Sequence, residues 1–148
     1  MKEEASSRIE SEQEVKAYLQ NLKYALSNGA EIYFQEYRLV DKEREEKYTN
    51  RYAMSVLFPE ENPVEALKRE LKTLTVEEYM RTVRDLRFPK RSEMREFGKI
   101  YHGTDEVYIK IRVELLGAYV RATTFVMSFH LAEKAFRAEM IPYRRGKA

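Results

Sequence analysis

Three short blocks of this chain carry side chains suited to holding and cutting a phosphodiester. They are Glu96-Phe97-Gly98-Lys99, Val107-Tyr108-Ile109-Lys110-Ile111 and Met127-Ser128-Phe129-His130. Each reads as a strand by its alternation and its β-branched and aromatic content. In the second block period two places Val107, Ile109, Ile111 and Val113 on one face, and Tyr108, Lys110, Arg112 and Glu114 on the other. In the third, Phe125, Met127 and Phe129 oppose Thr124, Val126, Ser128 and His130. With the large apolar sets turned to a core, Tyr108, Lys110, Arg112, Ser128 and His130 are expected to share the opposite face. Paired strands lie about 4.8 Å apart, so Tyr108 and His130 are expected within roughly 5–10 Å of each other.

Cleaving RNA through its own 2′-hydroxyl needs a base for the hydroxyl proton, an acid for the leaving oxygen and cations for the phosphorane charge. Histidine suits the first two roles because it titrates near neutrality. Tyrosine donates or accepts a hydrogen bond and also stacks on a base. Lys99, Lys110 and Arg112 are the candidates to hold the phosphate. The plainer reading is a tyrosine on a polar sheet face and a histidine at a strand end. The other histidine, His102, lies in a Tyr-His-Gly-Thr-Asp turn and reads as solvent-exposed and idle. Two distant histidines and scattered acids match no metal-ligand spacing, so neither metal nor cofactor is expected. Phosphate-binding glycine loops and Gly-x-Ser-x-Gly elbows are absent, which argues against nucleotide hydrolysis and serine-hydrolase chemistry.

What positions these residues is a chain of 148 residues, long enough for one domain with a real core. Hydrophobic residues make up 43%, which excludes a wholly disordered protein. The absence of cysteine removes disulfides, thiolate zinc sites and cysteine nucleophiles, and fits a reducing cytoplasm. No apolar run is long enough to span a membrane and the opening residues lack the core of a secretory signal, so a cytoplasmic protein is expected. Net charge is only +2, but residues 81 to 121 hold ten Lys/Arg against six Asp/Glu. The tail residues Arg137, Arg144, Arg145 and Lys147 add to this. A locally basic face on a near-neutral protein suits a short polyanion, or else a solvated, ion-paired surface.

Residues 1–10 read as a flexible tail and 11–148 as a single α+β domain. Ser11 and Glu14 form a capping box, Val15, Leu19, Leu22 and Leu26 follow at helical spacing, and Gly29 stops the helix, giving roughly 12 to 28. Residues 31 to 37 read as a strand, and Asp41 to Lys47 as a loop or helical turn. Tyr52 to Phe58 is a short apolar run left unassigned. Asn62-Pro63 opens a helix to about 72. Thr75 and Glu78 form a second capping box, predicting a helix from about 76 to 86. Runs at 94–102, 106–115 and 119–129 are separated by turns at Gly103-Thr104-Asp105 and Leu116-Gly117. They predict an antiparallel sheet of three to four strands in the C-terminal half, packed against the N-terminal helices.

The order and spacing of Leu74-Thr75-Val76-Glu77-Glu78-Tyr79, Glu96-Phe97-Gly98-Lys99, Val107-Tyr108-Ile109-Lys110 and Ser128-Phe129-His130 resemble the MqsR-like (motility quorum-sensing regulator) toxins. The resemblance runs from about Glu14 to about Arg145. It implies a RelE-like toxin architecture and a metal-independent endoribonuclease, the mRNA-cleaving half of a type II toxin–antitoxin pair, with mRNA as substrate and an antitoxin protein as partner. The family's active-site tyrosine falls on Tyr108, inside an intact Val-Tyr-Ile-Lys-Ile motif. A family lysine falls on Arg81, a glutamine on Glu96 and a second lysine on His130. Arginine keeps the cation but cannot be deprotonated, and glutamate adds a base that glutamine lacks. The implied catalytic set is therefore Tyr108, His130, Glu96 and Arg81. Strict alternation groups Glu96 with Met94 and Ile100, away from the Tyr108 face, a conflict that a bulge at Gly98 would resolve. The three departures also leave open a non-catalytic RNA-binding or protein-interaction domain on the same scaffold.

Overall fold

A computed structural model describes residues 5–114 and 123–145. The expected turn at Leu116-Gly117 and the start of the third run at Tyr119 lie outside the described residues. In chain order the elements are β1 (Ala5–Arg8), α1 (Glu12–Ser27), β2 (Glu31–Phe34), α2 (Asn50–Leu57), α3 (Pro63–Leu71), β3 (Tyr79–Asp85), β4 (Met94–Tyr101), β5 (Asp105–Glu114) and β6 (Thr123–Leu131). The fold is α+β. Among the described residues its sheet has six strands in the order β1-β3-β4-β5-β6-β2, against the three to four expected. All described pairings are antiparallel except β2 with β6.

One face of the sheet carries the core. Val107, Ile109 and Ile111 of β5, Phe97 of β4 and Phe129 of β6 are buried with Leu19 and Leu22 of α1, Met54 of α2 and Leu67 and Leu71 of α3. Two of the three expected helices are present, α1 behind its Ser11–Glu14 capping box and α3 behind Asn62 with proline at the first position. The unassigned run at 52–58 belongs to α2, capped by Thr49, whose hydroxyl accepts from the Tyr52 N–H at 3.2 Å. Asp41 to Lys47 falls on two 3₁₀ turns, Leu39–Glu43 and Glu46–Tyr48. No described helix is long and apolar enough to cross a membrane.

Three expectations are overturned. The predicted helix from 76 to 86 is a single 3₁₀ turn followed by strand β3. Its capping box is real, with the Glu78 carboxylate accepting from the Thr75 N–H at 3.0 Å. Beyond it Tyr79, Met80, Thr82 and Val83 are buried between β1 and β4, and this pairing outweighs a local start signal. The described part of the expected tail is not loose, because residues 5–8 pair with β3 and Glu10 is buried. Glu10 Oε1 accepts from Thr82 Oγ1 at 2.5 Å and Arg95 Nε at 2.8 Å, and the Tyr79 hydroxyl accepts the Glu10 N–H at 3.0 Å. A carboxylate goes inside only with such partners, and they pin the chain there. Third, no bulge occurs at Gly98: β4 pairs with β5 in unbroken register. Phe97 and Tyr101 are the β4 side chains that enter or pack on the core, so Met94 and Glu96 both lie on the Tyr108 face.

Candidate functional site

The bulge that shapes the site lies in β6. Lys110 pairs with Ser128 and Ile111 with Val126, leaving Met127 as the extra residue. Its backbone carbonyl is held by Arg38 Nη1 at 2.7 Å, and the buried Asn50 side chain accepts from the next strand N–H, Phe129, at 3.0 Å. Arg38 and Asn50 therefore supply partners that a regular ladder would have given. Before the bulge the alternation reverses, so Val126 faces the core and Phe125 joins the Tyr108 face, the opposite of the strict period-two assignment.

With that correction the expected juxtaposition holds. Tyr108 pairs directly with His130 across β5 and β6, and their ring centroids lie 5.5 Å apart at an interplanar angle of 42°. On the other side, Gly98 of β4 pairs with Tyr108 and Glu96 pairs with Lys110. Arg81 of β3 pairs with Glu96, its Nε 2.8 Å from Oε1. Tyr108, His130, Glu96, Lys110 and Arg81 line one open cleft of about 600 Å³. The segment after β6 closes its far wall with Lys134, Phe136 and Met140.

Gly98 has a steric reason to be glycine. A Cβ there would stand 2.8 Å from Phe136 Cε2, so the bare backbone beside Tyr108 is what seats this ring. The Phe136 N–H is in turn held by Glu106 Oε1 at 3.1 Å.

The electrostatics assign different states to the two rings. His130 is 6% exposed. Burial pushes its pKa below the ordinary 6.5, with the Arg38 and Arg44 charges adding to this and the Leu131 carbonyl opposing it. Nδ1 lies 2.8 Å from the Leu131 carbonyl oxygen, which only accepts, so Nδ1 carries the proton. The neutral ring keeps its free lone pair on Nε2. Tyr108 is moved the other way: burial first, then the negative Glu96 carboxylate, raise its pKa, with Arg81 opposing. The phenol stays protonated. Glu96 is 3% exposed, while the Arg81 side chain is 51% exposed and its pKa is raised by the hydrogen bond to Glu96.

Of the seven residues singled out in the sequence, five line the cleft: Tyr108, His130, Glu96, Arg81 and Lys110. Two do not. Lys99 pairs with Val107 and therefore sits on the core side of β4, bound to Glu78 at 3.1 Å. Its long stem lets a lysine emerge at the rim of an apolar face. Arg112 shares the Tyr108 face but lies beyond the cleft, 4.6 Å over the Phe125 ring and 3.0 Å from Glu114. Sequence reading missed Arg44, Lys134 and Phe136. Arg44 is ion-paired to Glu133 at 3.1 Å, whereas Lys110 and Lys134 make no ion pair among the described residues. His102 is exposed in its turn, as expected, and contacts Asp105.

No protein-family model, curated protein or solved structure matches this chain.

Proposed function

We propose that the protein is a metal-independent endoribonuclease, an mRNA interferase toxin of RelE-like architecture acting on cytoplasmic mRNA and silenced by an antitoxin protein. The observation that carries this reading is the Tyr108–His130 pair, a protonated phenol and a neutral imidazole 5.5 Å apart in a cleft edged by cations. The toxin–antitoxin setting rests on the family resemblance of the motifs around Tyr108.

The chemistry follows from the two ionisation states. His130 Nε2 takes the proton from the ribose 2′-hydroxyl, and the 2′-oxygen attacks phosphorus. The bond from phosphorus to the 5′-oxygen breaks, and that oxygen receives the Tyr108 phenolic proton. The products are a 2′,3′-cyclic phosphate and a 5′-hydroxyl. Arg81 and Lys110 meet the phosphorane charge. Glu96 acts through its neighbours: it fixes the Arg81 guanidinium and keeps Tyr108 protonated until the leaving oxygen needs the proton. Solvent then returns a proton from His130 to the phenolate.

Purified protein incubated with a mixed RNA pool and a chelator tests this. Cleavage in the chelator is expected, together with growth arrest on expression in a cell lacking the antitoxin. RNA that is bound but left whole would instead favour the non-catalytic RNA-binding reading.

A further inference from the structure

Next to the cleft the same sheet face continues into a second groove, of about 650 Å³, which the proposed cleavage chemistry does not use. Phe125 and Arg112 line it together with Tyr33, Tyr37, Leu39 and Val40. Tyr33 is 52% and Tyr37 69% exposed, and Leu39 and Val40 are also out in solvent. The Tyr33 and Phe125 rings lie 5.4 Å apart and the Arg112 guanidinium stacks 4.6 Å over Phe125. Rings and a guanidinium plane presented together form a surface on which nucleobases stack.

We propose that this groove binds bases of single-stranded RNA that lie beyond the two nucleosides joined by the scissile phosphate. The proposal rests on reading the adjoining cleft as an RNA-cleaving site. Continuity comes from the strand register. Lys110 and Ser128 are paired and line the cleft; Arg112 and Phe125, the next pair on that face, line the groove. Two residues along β5 is about 7 Å, comparable to one nucleotide of an extended strand. Arg38 joins the two, since it lines the groove and its Nη1 lies 3.4 Å from Ser128 Oγ in the cleft.

Charge favours the same occupant. Arg38, Arg91 and Arg112 line the groove, and among the described residues no carboxylate does. Asp41 and Glu114, which pair with Arg38 and Arg112, are not part of its wall. Stacking faces interleaved with arginines and free of acids fit a polyanion with flat bases better than a peptide strand.

Fluorescence anisotropy with a labelled 2′-O-methyl octanucleotide, which cannot be cleaved through its 2′-oxygen, reads binding apart from chemistry. Tyr33→Ala and Tyr37→Ala should each raise Kd about fivefold or more, the lower end of base–aromatic stacking. Tyr33→Phe keeps the ring and should bind like wild type. Arg91→Glu should weaken binding and reduce its salt dependence. Cleavage of a dinucleoside monophosphate, too short to reach the groove, should be unchanged in all four variants. Octanucleotide affinity that is unchanged in both alanine variants would overturn the proposal, and is what a groove serving a protein strand would give. Ring-dependent binding by a wild type that cuts no RNA would support the groove and remove the nuclease reading.

Discussion

Gly98→Ala probes the packing that builds the far wall of the cleft. Gly98 pairs with Tyr108 in extended backbone and has no positive φ, so alanine fits its conformation and should gain about 0.5–1 kcal/mol from the less flexible unfolded chain. Against this, the new Cβ would meet Phe136 Cε2 at 2.8 Å, where ordinary contact begins at 3.4 Å, so the ring must retreat by about 0.6 Å. Overpacking costs about 1–3 kcal/mol in a core, and the half-buried Phe136 yields at the lower part of that range. The net expectation is a destabilisation of about 0.5–1 kcal/mol, read from urea unfolding. In a Phe136→Ala background the obstacle is gone, and the same change should stabilise by a similar amount. The sign therefore reverses across a double-mutant cycle. Because the ring walls the cleft beside Tyr108, kcat should fall about five- to tenfold in Gly98→Ala, a fraction of the effect of a full 1 Å misplacement. Gly98→Ala stabilising both backgrounds equally would refute the steric account of this glycine.

Further expectations concern titrating groups. The folded state binds a proton at His130 less readily than the unfolded chain does, so stability should decline as pH falls from 6.5 toward its depressed folded pKa, and His130→Gln should flatten that decline. Urea midpoints at several pH values between 7.5 and 5 check this. Burial raises the Glu10 pKa, but the hydrogen bonds from Arg95 and Thr82 outweigh it and hold the carboxyl below 4.5. Its stabilisation is present above that pH and lost as pH falls through the folded pKa, and Glu10→Gln should cost about 2 kcal/mol at neutral pH. Glu96→Gln removes the charge that helps hold Tyr108 protonated, so ultraviolet titration should find the Tyr108 phenol ionising at lower pH than in wild type.

The Tyr108 face was legible because β5 alternates without interruption. That Tyr108 and His130 share a face followed from period two, and so did the burial of Val107, Ile109 and Ile111, whereas their direct pairing is set by the strand register. The bulge at Met127 was not legible, since nothing local marks it: it is held by Arg38 and Asn50, about 80 to 90 residues away in sequence. The error it caused was confined to Thr124, Phe125 and Val126, on the far side of the bulge from His130. Thr75 and Glu78 show the opposite failure, a correct local cap whose continuation was decided by pairing with distant strands. Arg44 was hidden inside the charge run Asp41 to Lys47 and Lys134 beside Glu133 in a segment without periodicity, where sequence cannot tell a cleft-lining cation from a solvated one.

The central claim is that Tyr108 and His130 act as acid and base on an RNA 2′-hydroxyl. Its most direct measurement is cleavage of an oligonucleotide in chelator, beside a copy carrying one 2′-deoxy nucleotide at the cleavage site, with product ends identified by mass spectrometry. Wild type should leave a 2′,3′-cyclic phosphate on the first and spare the second. Tyr108→Phe and His130→Ala should each slow the reaction by about 10²-fold or more. Cleavage of the deoxy copy, dependence on an added divalent ion, or wild-type rates in both variants would contradict the account.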